Sequence, residues 1–171
     1  GSTLRGGFYT NPSHGLTVIS DVDITFRANN ANRMHINTSG VVTMPYQPVV
    51  DVRLNATRTS PGPFATHTVN VDKANNWNSS SHRFTATVAG RYKATLSGYT
   101  NYTNSHGYYA LYVNNSGDSM HFNHAGTTLH SMMGYTRIFE LAASDYITAV
   151  RSANGGTSYF DMCFLTVEMI S

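Results

Sequence analysis

Apolar residues in this chain rarely recur at the three-and-four spacing of a helix over ten or more positions, and that excludes most helical architectures. Alternation takes its place. From Arg91 to Tyr99, the residues Tyr92, Ala94 and Leu96 alternate with Arg91, Lys93 and Thr95, which gives a strand one buried and one wetter face. Val49 to Leu54 reads as a first strand, and Thr66 to Val71 alternates. Arg83 to Val88 leads into a turn at Ala89 and Gly90. Gly107 to Val113 closes on an amide-rich turn from Asn114 to Gly117. Met120 to Asn123 is a short strand, Leu129 to Leu141 a long one, and Asp145 to Arg151 another. Asn154, Gly155 and Gly156 form a hairpin signal before a last strand from Thr157 to Met169. The stretch 55–65, with its Pro61-Gly62-Pro63 run, reads as loop. Roughly eight to ten short strands separated by turn chemistry predict an all-β sandwich or jelly roll.

A chain of 171 residues accommodates one domain and a short extension. Charged residues make up 12% and the net charge is +2, which argues against both solvated disorder and electrostatic binding of nucleic acid. No apolar run approaches the length of a membrane span, so membrane insertion is not expected. No signal peptide is legible at the N-terminus, and Gly1-Ser2 reads as a cloning scar. Asn, Ser, Thr, Gly and Tyr carry the polar share, which suits uncharged contact surfaces.

Chemistry-bearing clusters are scarce. Cys163 is the only cysteine and sits in an apolar run, so it reads as a small buried hydrophobe. The eight histidines include the close set His121, His124 and His130, but on a strand positions i and i+3 point to opposite faces. Nine carboxylates leave few pairs for glycosidase chemistry. Asp145, at a strand entry, reads as a residue that ties down a turn. No nucleophile elbow is present, and the chain is not expected to be an enzyme. Five Asn-x-Ser/Thr sequons, at Asn37, Asn55, Asn78, Asn101 and Asn114, are expected by chance in so amide-rich a chain.

The segment ITFRANNANRMHINTSGVVTMPYQP, beginning at Ile24, reads as strand, Asn-rich turn, strand, Ser-Gly turn and strand, stopped by Pro45. It resembles the last shaft repeat of a bacteriophage tail fibre, just before the terminal head. Residues 1–46 are therefore read as a shaft or neck and 47–171 as the head. Within the head, FTATVAGRYKATLSGY (84–99), YYALYVNNSG (108–117), IFELAASDYITA (138–149) and YFDMCFLTVEMI (159–170) resemble, in order and spacing, the landmarks of a C1q-like domain. Ser144 departs from that pattern, which usually has Gly before the Asp, and Ala86-Thr87 departs from a frequent Ala-Pro. The resemblance implies a C1q/TNF-like jelly-roll sandwich that assembles as a homotrimer. A trimeric shaft leading into a trimeric head involves no symmetry mismatch. Some C1q-like trimers hold calcium near their axis, and Asn114, Asn115 and Asp118 offer oxygen donors for one here. The last strand is apolar on both faces, with Phe160, Met162 and Phe164 on one of them. These three and Tyr92 are candidate trimer-interface residues.

Three segments combine aromatic rings with amides, as sugar-binding surfaces do. Lys73 to Ser81 holds Trp77 and Asn78. Tyr99 to Tyr108 holds Tyr99, Tyr102, Asn104 and His106. Asn114 to His124 holds Asn115, Asp118 and His121. The resemblance implies a virion protein, the receptor-binding tip of a tail fibre, acting outside the cell. It would adhere to a bacterial surface polysaccharide, lipopolysaccharide or an outer-membrane receptor. Three alternatives are a capsid decoration or spike with the same head, a fibre-borne polysaccharide depolymerase, and a secreted cellular C1q-like protein. The absence of a collagen repeat argues against the last.

Overall fold

Two consecutive asparagines, Asn29 and Asn30, adopt φ of 51° and 56°, the left-handed pair that a two-residue hairpin requires. They join β3 (Ile24–Ala28) to β4 (Ala31–Ile36), and Gly40, at φ 79°, turns the chain into β5 (Val42–Thr43). Asn37 Oδ1 accepts the backbone N–H groups of Ser39 and Val41, so the second turn is held by its own side chain. An earlier hairpin pairs β1 (Gly6–Asn11) with β2 (Gly15–Ser20). The computed structural model describes residues 6–11, 15–20, 22–54, 57–58, 62–102, 107–122, 129–151 and 158–171. Among them there is no helix. The hairpin signal at Asn154 lies outside the described residues. The chain divides into two compact units, Gly1–Tyr46 and Gln47–Ser171.

The second unit, the head, is a two-sheet sandwich. Its strands are β6 (Val49–Leu54), β7 (Thr57–Arg58), β8 (Gly62–Pro63), β9 (Thr66–Asp72), β10 (Trp77–Asn78) and β11 (Arg83–Thr85). These are followed by β12 (Gly90–Tyr102), β13 (Gly107–Val113), β14 (Ser116–Phe122), β15 (Leu129–Leu141), β16 (Tyr146–Arg151) and β17 (Ser158–Met169). One sheet runs β15-β12-β17-β6-β9, with β7 also on β17. The other runs β10-β11-β16-β13-β14, with β8 also on β16. The predicted alternation holds. Val50, Val52 and Leu54 of β6, Tyr92, Ala94 and Leu96 of β12, and Cys163, Leu165 and Val167 of β17 point inward and are buried. They meet Phe84, Tyr109, Leu111, Ile147 and Ala149 of the other sheet and Phe64 beside them, forming one core.

Within the head the two ends differ. Gln47, where this unit begins, donates from Nε2 to the Met169 carbonyl at 2.5 Å, and the Met169 N–H donates to Pro48 at 3.0 Å. Gly90 and Leu141 pair at this same end, which we call the entry end. Strand β12 then runs thirteen residues, about 40 Å at the usual rise, to Tyr102 at the far end. It is hydrogen-bonded on both sides over nearly that whole length, to β15 and to β17.

Candidate functional site

The far end of the head gathers strand termini from both sheets. Register places Asn101 between His130 of β15 and Tyr159 of β17, and Tyr102 between Leu129 and Ser158. Five residues beyond Tyr102, β13 begins at Gly107 opposite Phe122, with Tyr108 opposite His121. Tyr99, Tyr102 and His121 therefore belong to one end; Asn104 and His106 lie outside the described residues. A β-bulge at Tyr99/Thr100 sets Met162 opposite Tyr99 but Phe160 opposite Thr100, leaving Asp161 as the extra residue of β17. Such bulges break strand alternation and concentrate near functional ends of sheets.

Several sequence expectations are corrected. Tyr99 and Tyr102 belong to β12 and not to a loop, because both flanking strands are long enough to continue the pairing past Tyr99. Asp118 lies within β14, opposite Leu111, because a hairpin turn at Asn114 and Asn115 (φ 50° and 64°) starts that strand earlier than its amide-rich composition suggested. Asn115 itself is exposed and sits at the entry end, separated from the far end by the seven residues of β13. The backbone register of β17 shifts between Phe160, opposite Thr100, and Met162, opposite Tyr99.

Trp77 is no exposed platform. It is only 8% exposed, and its indole Nε1 donates to Thr66 Oγ1 at 3.1 Å. Asp72 draws the loop inward: its carboxylate accepts the N–H of Asn76 at 2.8 Å and of Trp77 at 3.1 Å. Buried Asn76 donates to the Thr85 carbonyl and to Thr87 Oγ1. The Thr66 N–H donates to His82 Nδ1 at 3.0 Å, closing the network. Asn78 is exposed, but its Oδ1 is already committed to the N–H groups of Ser80 and Ser81. The loop is thus packed onto the head's flank, although the buried Asn76 Oδ1 and Ser81 Oγ find no hydrogen-bond partner.

Tyr92 is wholly buried within its own chain, stacked at a tilt 5.4 Å from Phe84, with its hydroxyl donating to the Val88 carbonyl at 2.7 Å. It has no surface left for a neighbouring subunit and is withdrawn as an interface residue. Burial pushes its phenol up, with the Val88 hydrogen bond opposing. Cys163 faces the same core, and burial raises its thiol to about 12.

Asp145 ties a turn, as its place at a strand entry suggested. Oδ1 accepts from Asn114 Nδ2 at 2.6 Å and Oδ2 from the Ala142 N–H at 2.7 Å, and these two bonds hold its carboxyl below the usual range. Asn114 Oδ1 also accepts the Tyr146 N–H. Both functional groups of the Asn114 side chain are therefore engaged in holding this turn. Among the described residues no three His, Cys, Asp or Glu groups converge as a metal site.

The outward face of the β15-β12-β17-β6-β9 sheet is a second candidate surface. Phe164 is half-buried there, and Ile138 is 55% exposed. Polar groups between them are paired within the chain: Thr95 with Thr136 at 2.9 Å, and Thr166 Oγ1 and Asn70 Nδ2 donating to Asp51 at 2.8 Å each. Arg91 pairs with Glu140 at 3.6 Å and Lys93 with Glu168. A face whose charges are already neutralised can meet another surface without stranding an ion.

No protein-family model matches the chain, and no curated protein matches it in sequence. Among solved structures it is similar to the globular domain of zebrafish complement 1qA, with a TM-score of 0.58 and 15% identity over 73% of this chain and 98% of that one. At that identity the likeness concerns the fold. The chain is all-β, and its head is a C1q/TNF-like jelly roll.

Proposed function

We propose that this chain is the receptor-binding tip of a bacteriophage tail fibre: a homotrimeric, extracellular virion adhesin. Its far end would adsorb to a bacterial surface glycan, such as the polysaccharide of lipopolysaccharide, or to an outer-membrane receptor. The observation that carries the reading is the polarity of the head. The chain enters at the Met169 end, and about 40 Å away along β12 the opposite end collects Asn101, Tyr102, His121, His130 and Tyr159. Aromatic, amide and imidazole groups are the chemistry that stacks on and hydrogen-bonds to sugars. The neck-like unit and the charge-neutral outward sheet face support assembly around a shared axis. Three weak sites per fibre then bind a repetitive surface by avidity.

The test is binding of the labelled chain to a panel of bacterial cells and their purified surface polysaccharides. Tyr102→Ala is expected to weaken the best binder by about tenfold, as loss of one aromatic anchor does. Asn115→Ala, at the entry end, is expected to leave binding unchanged. Equal behaviour of the two variants would remove the far end from the reading. Light scattering is expected to give the mass of three chains.

A further inference from the structure

On the flank of the head, His82 makes a bond that only a neutral imidazole can make. Its Nδ1 accepts the backbone N–H of Thr66 at 3.0 Å, and the Thr66 hydroxyl stands 3.1 Å from the same atom. A backbone N–H can only donate, so Nδ1 must offer its lone pair and the ring proton must sit on Nε2. The Trp77 indole in turn donates to Thr66 Oγ1 at 3.1 Å. One acceptor atom thus fastens the turn before β11 to the start of β9, and Thr66 carries the indole with it. His82 is held in the left-handed region, at φ 52°, and it is half-buried, within reach of solvent protons.

Protonation puts a second hydrogen on the ring, at Nδ1, facing the Thr66 N–H. The Thr66 hydroxyl can rotate and accept it, but the backbone N–H cannot reverse and loses its partner. Bond and charge exclude each other, so acid opens this closure and neutral pH restores it. The neighbouring elements do little to offset the charge. Strand β10 carries no titratable side chain, and Leu54, opposite Thr66 on β6, is apolar. Strand β9 brings the exposed His67 and Asp72, whose carboxylate already accepts the N–H groups of Asn76 and Trp77. Strand β11 brings Arg83, its guanidinium 4.3 Å over the Tyr146 ring. Among the described residues no carboxylate pairs with the His82 ring. The closed form is also incompletely bonded, since the orphaned Asn76 Oδ1 and Ser81 Oγ regain water on opening. We infer that His82 is a pH-sensitive latch: its protonation frees the segment from Asp72 to His82 and exposes the Trp77 indole, while the rest of the sandwich stays folded. The latch does not depend on the receptor or the assembly proposed above.

Trp77 is the chain's only tryptophan, so its emission and its quenching by acrylamide read the latch directly. The full chain is measured at neutral pH and at about pH 5, with circular dichroism reporting the sandwich at both. His82→Asn places an acceptor oxygen near the position of Nδ1, tolerates positive φ and does not titrate; His82→Ala removes the acceptor. In the native chain, acid is expected to shift the emission to the red and to raise acrylamide quenching, with the circular dichroism unchanged. His82→Asn is expected to keep the neutral-pH emission and quenching throughout. His82→Ala is expected to show the red-shifted, readily quenched indole already at neutral pH. A native chain whose indole does not respond to acid overturns the latch. So does a His82→Asn chain that responds in parallel with the native one, or a His82→Ala chain with native emission and quenching at neutral pH.

Discussion

Replacing Ser144 with glycine is expected to stabilise the head. Ser144 has φ 78°, in the left-handed region, and it is exposed in the turn between β15 and β16. Its backbone N–H donates to the Ala86 carbonyl at 2.8 Å, a bond that glycine keeps. An L-residue in this conformation costs about 1–2 kcal/mol. Glycine removes that cost but gives the unfolded chain more freedom, worth about 0.4–1 kcal/mol in the other direction. The difference favours the variant by about 0.5–1 kcal/mol, or roughly 2–4 °C in Tm for a unit of this size. Ser144→Ala is the control. It keeps the Cβ at positive φ and should leave Tm nearly unchanged. The assay is thermal unfolding of the three proteins by circular dichroism at one concentration. A fall in Tm for Ser144→Gly, or an equal rise for Ser144→Ala, would refute the argument that backbone strain at Ser144 sets the effect.

Three further outcomes follow from the head. Tyr92→Phe removes the bond to Val88 and should cost about 1 kcal/mol, whereas Tyr92→Ala leaves a core void and should cost about 3–5 kcal/mol; a folded monomer of undiminished Tm from Tyr92→Ala would instead mean that the ring serves an interface. Asp145 has a depressed pKa, so its contribution is full above the ordinary carboxylate range and is lost as pH falls through the folded value. The Tm of Asp145→Asn should therefore lie below that of the native chain at neutral pH, and the two should converge in acid; a gap independent of pH would contradict this. With its thiol raised to about 12 and buried, Cys163 should resist iodoacetamide at pH 8 in the folded protein and react promptly in denaturant, read by mass spectrometry.

Legibility in the sequence followed how local the deciding interaction was. The Asn29-Asn30 and Ser39-Gly40 turns were readable because two or three neighbouring residues determine them. The alternation in β6 and β12 was readable because burial repeats every second residue. The strand expected to run to Val88 stops at Thr85 because the Ala86 N–H bonds to Asp145, some sixty residues away, which no local pattern reports. Trp77 sits among Asn and Ser and so reads as exposed, but one carboxylate, Asp72, folds the loop back and seats the indole on Thr66. Phe160, Met162 and Phe164 are spaced two apart in sequence, and no local pattern reports the register shift between the first two. For the candidate site, the residue types were legible but their grouping was not. Antiparallel order sends Asn115 to one end of β13 and His121 to the other, and it brings His130 and Tyr159 beside Asn101, a neighbourhood that spans almost sixty positions of chain.

The arrangement of β6 against β17 also decides how the head bears load. A pull between the far end and Gln47 acts along β6, parallel to the strand axis. The hydrogen bonds joining β6 to β17, from Val49–Glu168 to Leu54–Cys163, lie across that axis. All six register pairs are then strained together, and β9 holds β6 from its other side. Failure requires the pairs to give way at once, not one after another as in peeling a hairpin open from its turn. A head held at one end and pulled from the other would therefore meet tension in shear, the geometry in which short strands are mechanically strongest.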